Sequence, residues 1–293
     1  MTSPIIPFKV TPYNQDSTRP HLNFLRQKWL QKELKNLKLQ LLRTKSTQGG
    51  NALHQSRISA RKLRELLRAW RSECHPVKYA ELSFELRNLG KALQLGREAD
   101  VRLQQVTSIL RQSPSVAIQE GHQLLAFLDQ NRSAIRDQLR MTLDSPRFQR
   151  SLAIITEDIN SEELMALPHT TEEWGAEQAT FSKAAWKLLK NFAKNKTAIH
   201  DCHHLRIRIK RIRYYGDALF DLQHLKPTSE LKKLHRLQSL LGDIHDNQLL
   251  LEWCEQVIPN QTISKLLNET ISKSIDKLRN DLDKLGRQKS DCA

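Results

Sequence analysis

The chain has 293 residues, of which 39% are hydrophobic, and 47 Lys and Arg against 32 Asp and Glu give it a formal charge of +15 at pH 7. The length suits one large domain or two ordinary ones, and the apolar content is enough for a core. No run of 18 apolar residues and no signal-peptide pattern occurs, so we expect neither a membrane span nor secretion. The four cysteines show no CxxC pair, which favours reduced thiols in the cytosol.

Residues 1–20 are rich in Pro, Ser and Thr and are predicted to be a flexible leader. Beyond them, apolar residues recur at three- and four-residue spacing, and no stretch alternates as a strand does. The sequence therefore predicts an all-α protein. Breaks are expected at Gly and Pro positions, including Gly96 and Gly242. The predicted helices cover about 22–45, 52–72, 77–95, 97–111, 116–142, 173–194, 198–223 and 262–286, with a pair around Gly242.

A segment with two prolines and several carboxylates, residues 143–172, is predicted to connect two halves and to be partly helical in 147–166. Short loops between antiparallel helices are typical of bundles. We therefore predict one four-helix half in residues 21–142 and a second in residues 173–287. Residues 288–293 would be a tail.

One basic motif occurs twice. The pattern H-x-x-R-I-x-x-[RK]-[RK]-[LI]-R begins at His54 and again at His203. After each copy comes a glycine with an aspartate four residues on, first at Gly96 and then at Gly242. The two halves are therefore interpreted as an internal duplication with pseudo-twofold symmetry.

Most basic residues of each motif helix fall on one face, whereas Arg208 and Arg211 lie on a different flank, at about 200° and 140° from Arg206. At about 100° per residue, those on the common face share an arc of roughly 100°. Scattered, solvated charge does not align in this way, so the pattern indicates a polyanionic ligand. The arc contains His54, Arg57, Arg61, Arg64, Arg68 and Arg71 in the first copy, and His203, Arg206, Lys210 and Arg213 in the second. The preceding helices add Lys38 in the first half and Lys183, Lys187, Lys190 and Lys194 in the second.

The repeated motif, with its later L-G-x-x-x-D segment, resembles the CHAD domain, the conserved histidine α-helical domain. The resemblance covers about residues 21–287 and implies two four-helix bundles around a basic central groove that binds inorganic polyphosphate, often on polyphosphate granules. One departure is Ala99, where family members often carry Arg; Arg97 is close by, and His245 is its counterpart in the second half. By match to the family motif, the binding residues are His54, Arg57, Arg61, Lys62, Arg64, His203, Arg206, Lys210, Arg211 and Arg213.

We accordingly expect a non-catalytic, cytoplasmic polyphosphate-binding protein, associated with granules and without cofactor or metal. The sequence has no G-x-x-x-x-G-K-[ST] loop and no E-x-E-x-K strand that would indicate phosphate chemistry. Cys202-His203-His204 lacks a second ligand cluster at metal-binding spacing. Asp100 and Asp246 are expected to cap a helix or to pair with Arg.

Several alternatives stay open from the residues alone. A nucleic-acid-binding protein would use the same basic surface, although aromatic residues make up only 6% of the chain and single-strand binding favours stacking platforms. Other polyanions or an acidic protein partner would also suit this surface. His54 and His203 would either contact phosphate or make a structural hydrogen bond.

Overall fold

A computed structural model of the chain describes residues 22–46, 50–112, 118–165, 174–194, 202–257 and 261–287. The all-α prediction is confirmed, because these residues form ten α-helices, a short 3₁₀ turn and no strand. The predicted leader, 1–20, and tail, 288–293, lie outside them. No helix in these ranges combines the length and apolar character needed to cross a bilayer. In chain order the helices are α1 Leu22–Ser46, α2 Gly50–Ala69, α3 Pro76–Ala92, α4 Gln94–Gln112, α5 Ile118–Asp144, α6 Pro146–Asn160, α7 Trp174–Lys194, α8 Cys202–Leu222, α9 Ser229–Val257 and α10 Gln261–Arg287.

The first hydrophobic core lies among α1, α2, α3 and α6. In α2 the apolar residues recur at intervals of three, four or seven, which puts them on one face of the helix. The buried residues of that face include Leu53, Ala60, Leu63 and Leu67. The opposite face of α2 carries the basic motif and remains partly accessible. Packing of the apolar face therefore directs the motif away from this core.

Helix α6 lies inside the segment 143–172, which we predicted as a connection. It begins after Ser145, whose Oγ accepts a hydrogen bond from the backbone N–H of Phe148 at 3.3 Å, and Pro146 occupies its first turn. Phe148 and Ile159 are buried in the first core. This part of the segment is therefore a bundle helix that packs against α1 and α3.

The second core lies among α7, α8, α9 and α10. Gly216 allows α7 and α8 to approach closely, since a Cβ at this position would lie 2.8 Å from Cζ of Phe181. Phe181 in turn packs edge-on against Phe220, with 5.6 Å between the ring centroids. Just after the end of helix α8, His224 adopts the left-handed conformation, with φ 53°. The N–H of Leu225 then donates to the carbonyl of Phe220 at 2.9 Å, which caps the helix C-terminus.

A third core links the two halves. Helices α4 and α5 pack together, and their buried side chains form one cluster with residues of α9 and α10. Two four-helix arrangements are thus present, α1–α3 with α6 and α7–α10, and α4 and α5 lie between them. The internal duplication stays a prediction. Two helices, α3 and α4, follow the first motif helix, whereas the single helix α9 covers the matching stretch after the second motif helix. The members of the third core are Val106, Ile109, Leu124, Leu128, Leu250, Cys254 and Leu267.

The structure corrects two predicted helix breaks. The break between α3 and α4 falls at Leu93 and not at Gly96, while Gly242 lies inside the continuous helix α9. A Cβ on Gly96 would lie 2.9 Å from Leu53 and 3.0 Å from Leu139, so this glycine permits close helix packing. A glycine costs a helix interior only about 1 kcal/mol, which the burial of one neighbouring leucine offsets.

Candidate functional site

The two motif helices, α2 and α8, pack against each other. At their contact, burial lowers the pKa of Arg206 and Lys210 of α8, and the nearby charge of Arg61 of α2 lowers both further. These residues are about 150 positions apart in the sequence. The fold therefore brings the positive charge of both motifs to one place.

A cavity of about 550 Å³ opens where the basic faces of α2 and α8 meet. We call it the central cavity; its walls come from α2, α4, α8 and α9, so both halves of the chain contribute. A concave wall of one dominant charge focuses the electrostatic potential more than a flat surface does. The basic lining residues are His54, Arg57, Arg61, Arg97, Arg102, Arg206 and His245, and the acidic ones are Glu98, Asp246 and Glu252.

Partial burial lowers the pKa of three arginines of the central cavity. Burial of the guanidinium lowers the pKa of Arg57 to about 10, and the nearby charge of Arg61 adds to this effect. Burial also lowers the pKa of Arg97 and Arg206. Several like charges are thus held together with reduced access to water, which is electrostatically unfavourable. A bound anion would relieve this repulsion.

The pKa values of Lys210 and His54 are also lowered. Burial, followed by the charges of Arg61 and Arg206, lowers the pKa of Lys210 to about 6, so its amine is largely neutral at pH 7. Burial lowers the pKa of His54 as well, and Arg97 contributes the next largest effect. Both groups are therefore able to take up a proton when a negative charge arrives.

The carboxylate of Asp246 lies among these cations. Its Oδ1 is 3.6 Å from Nη2 of Arg206, and its charge opposes the lowering of the pKa of Lys210. The matching residue of the first half, Asp100, is buried and lies 2.8 Å from Nη2 of Arg136 on α5. Each aspartate thus pairs with an arginine, which is one of the two roles expected from the sequence.

Three of the predicted basic residues gather around a buried carboxylate. Glu65 is buried, and Arg64, Arg68 and Arg211 lie 3.3, 2.9 and 3.6 Å from its oxygens. Because Arg211 belongs to α8 and the others to α2, this cluster ties the two motif helices together.

Lys62 and Arg213 make further contacts that hold the helices in place. Nζ of Lys62 lies 3.4 Å from Glu33 on α1 and 6.0 Å from the centroid of the Trp29 ring. Arg213 is buried, and its Nη1 donates to Asp217 one turn later at 2.7 Å. Neither residue lines the central cavity.

The predicted lysines outside the motifs lie on exposed helix faces. Lys38, Lys183, Lys187 and Lys190 are exposed, and none of them lines the central cavity. The side chains of Lys194 and His203 lie outside the part of the chain whose side chains are described. The structure therefore groups five predicted residues around the central cavity: His54, Arg57, Arg61 and Arg206 in its lining, with Lys210 beside them.

The sequence reasoning missed several residues of the site. Arg97 and His245 line the central cavity, and their signal was present, since each lies within four residues of the glycine that follows a motif. A smaller cavity of about 230 Å³ shares Arg57 and Arg61 with the central one. It adds Arg64, Arg87 and Lys91, of which Arg87 and Lys91 were not predicted. Within the described ranges, no three His, Cys, Asp or Glu side chains are grouped as a metal site.

The fold and the central cavity define an all-helical protein with a cationic site at the junction of two bundles. The sequence model of the CHAD domain matches residues 28–255. This match covers most of the chain and confirms the resemblance seen in the motifs. The chain belongs to the CHAD domain family.

Solved structures share this fold. The crystal structure of the CHAD domain from the plant Ricinus communis is similar with a TM-score of 0.65 and 20% sequence identity, over 94% of this chain and 97% of that one. PptA from Streptomyces chartreusis is similar with a TM-score of 0.63 and 14% identity, over 90% of this chain and 99% of that one. At these identities the likeness shows the fold alone. In a comparison with curated proteins, nothing matches this chain.

Proposed function

We propose that this chain binds inorganic polyphosphate in the central cavity and catalyses no reaction on it. The observation that carries the proposal is the convergence of partly buried cations from three helices: Arg57 and Arg61 on α2, Arg97 on α4 and Arg206 on α8. Polyphosphate is a flexible chain with about one negative charge per phosphate, so it matches a cluster of cations with little demand on shape. Membership of the CHAD domain family supports the same ligand.

The chemistry of arginine suits this role. A guanidinium donates two parallel hydrogen bonds to phosphate oxygens, whereas an ammonium acts as a point charge. Nε of Arg206 is buried and has no hydrogen-bond partner among the described residues. Arg57 and Arg61 lie one turn apart, about 6 Å along the axis of α2, and so would reach successive parts of a bound chain. A ligand that supplies acceptor oxygens would satisfy these donors.

The proposal extends to location in the cell. A protein that holds polyphosphate in this way would collect on polyphosphate granules in the cytoplasm. A fluorescent fusion of the chain should then overlap with stained granules, and the overlap should disappear in cells that cannot make polyphosphate.

The test replaces Arg57, Arg61 and Arg206 with Glu in one variant. Each charge-assisted hydrogen bond contributes about 1.5–3 kcal/mol, so the triple variant should bind long-chain polyphosphate at least about 1000-fold more weakly. The matched control, Arg147→Glu with Arg150→Glu, changes exposed arginines of α6 outside the central cavity. It should stay within about threefold of the wild type.

Binding would be measured at about 150 mM salt, with circular dichroism to check that each variant is folded. A folded triple variant that binds as tightly as the control would refute the site. Competition by duplex DNA or RNA is measured in the same assay. Equal competition would favour the nucleic-acid alternative over polyphosphate.

A further inference from the structure

One part of the central cavity is not accounted for by polyphosphate. Along α9 the lining residues change from charged, at His245 and Asp246, to apolar one to two turns later, and Asp246 lies near the cations Arg57 of α2 and Arg206 of α8. Polyphosphate has no apolar group, so it gives no reason for this second part. Leu249 is 44% exposed there and lies one helical turn before Trp253 on the same helix. The apolar lining residues of α4 and α9 are Val101, Leu249, Leu250 and Trp253.

The aromatic residue of this apolar end is held in place from two sides. The Trp253 ring stacks against Phe127 of α5, with 6.4 Å between centroids and 28° between planes. The guanidinium carbon of Arg102 lies 5.3 Å from the Trp253 centroid, and Nη2 of Arg102 is 3.7 Å from Glu98. Arginine and tryptophan planes are the surfaces on which planar bases stack in other binding proteins. Because Phe127 and Arg102 already contact the Trp253 ring, the planar surface that this end offers to a base is the guanidinium of Arg102.

Gln105 supplies a polar group where the cationic end meets the apolar end. Its Nε2 donates to Asn247 at 2.8 Å, while its Oε1 is buried without a hydrogen-bond partner among the described residues. An unsatisfied buried acceptor costs about 1–3 kcal/mol. An amino group on a ligand would supply the missing donor. Gln256 lines the apolar end and offers a second amide.

The dimensions suit a single small molecule that is anionic at one end and planar at the other. From Gln94 to Gln105, the lining stretch of α4 is about 16 Å long at 1.5 Å per residue. The cavity volume, about 550 Å³, lies in the range of small-molecule sites. A base at the apolar end would leave its phosphates beside Arg57 and Arg206.

We propose that the central cavity binds a nucleoside triphosphate, with the phosphates at the cationic end and the base between Leu249 and the guanidinium of Arg102 that lies over Trp253, within reach of Gln105. This inference rests on the proposed function, because the same cations hold the phosphates of both ligands. It adds that a ligand carrying a base binds more tightly than an inorganic chain with the same number of phosphates.

The experiment compares ATP with tripolyphosphate by isothermal titration on the full chain. We expect ATP to bind at least about fivefold more tightly, since stacking of one base contributes on the order of 1–3 kcal/mol. In Leu249→Asn this advantage should fall to less than about threefold, while the affinity for tripolyphosphate stays unchanged. The matched control is Leu42→Asn, which alters an exposed leucine of α1 outside the cavity and should leave both affinities unchanged.

The outcomes separate this inference from the proposed function. If ATP binds no more tightly than tripolyphosphate, or if Leu249→Asn weakens both ligands equally, the base subsite is refuted, whatever the affinity for long-chain polyphosphate. If ATP shows its advantage and loses it in Leu249→Asn, the subsite stands. In that case a failure of long-chain polyphosphate to bind would refute the proposed function alone.

Discussion

The low pKa of Lys210 leads to a quantitative prediction about proton uptake. In the free protein this pKa is about 6, so at pH 7.5 the amine is largely neutral. A phosphate charge about 6 Å away interacts with the ammonium by roughly 3 kcal/mol at an effective dielectric constant of about 20. That energy corresponds to roughly two pKa units. Two such phosphates beside Arg61 and Arg206 would therefore raise the pKa of Lys210 to roughly 10.

The sign of the pH dependence follows from these two values. At pH values between these two pKa values, Lys210 carries a proton in the complex but not in the free protein. Binding therefore weakens as the pH rises. One proton taken up per complex corresponds to about a tenfold loss of affinity per pH unit, or roughly 100-fold between pH 7 and pH 9. His54, whose pKa is also lowered, contributes in the same direction nearer neutral pH.

Titration calorimetry at constant ionic strength, in buffers of different ionisation enthalpy, measures the proton uptake directly. The wild type should take up about one proton on binding polyphosphate at pH 8. The variant Lys210→Met removes the group and should take up less than about a quarter of a proton, with a nearly flat affinity between pH 8 and pH 9. If Lys210→Met keeps the slope of the wild type, the proton binds elsewhere and the reasoning about this lysine is wrong.

Two further predictions concern stability and reactivity. Gly216→Ala should destabilise the protein by about 1–3 kcal/mol because its Cβ would overlap Phe181. Gly242→Ala, whose Cβ meets nothing within 4 Å, should instead stabilise it by roughly 0.5–1 kcal/mol. If urea unfolding shows that both variants change the free energy of unfolding in the same direction, this account of the packing is wrong. Burial raises the pKa of Cys74 to about 12 and that of Cys254 to about 11. In a variant whose other cysteines are serine, thiol labelling at pH 8 should therefore require unfolding, and rapid labelling of the native protein would count against the burial.

Much of the fold could be predicted from the sequence because helix periodicity is a local property. The spacing of apolar residues predicted the ends of α1, α2 and α10 to within a few residues of the observed ones. The errors arose where tertiary packing outweighed a local signal. Gly242 was expected to end a helix, but Leu241 before it and Ile244 after it are buried, and α9 continues through it. Gly96 has a packing role that only the contact with Leu53 and Leu139 reveals.

The candidate site was predictable only in part, for a related reason. A helical arc identifies residues that share a face, but it does not say which carboxylates lie opposite that face. Arg57 and Arg61 line the central cavity, whereas Arg68, on the same arc, pairs with Glu65 three residues before it. Arg97 was noted beside Ala99 but was not among the predicted binding residues, because it lies outside the motif, on a helix that reaches the site only through tertiary packing. The roles of these residues in binding stay predictions.

Packing between the bundles is what holds the like charges of the two motif helices together. Ala218 of α8 is buried in the first core, and Tyr215 packs against both the first and the second core. On the same helix, Asp221 accepts a hydrogen bond from Nε1 of Trp29 on α1 at 3.0 Å. These contacts fix α8 against the first bundle, so the repulsion between Arg61 and Arg206 cannot be relieved by separation of the helices. Because folding has already assembled these charges, the polyanion that we propose as ligand would find an arrangement that needs little reorganisation, which would favour tight binding.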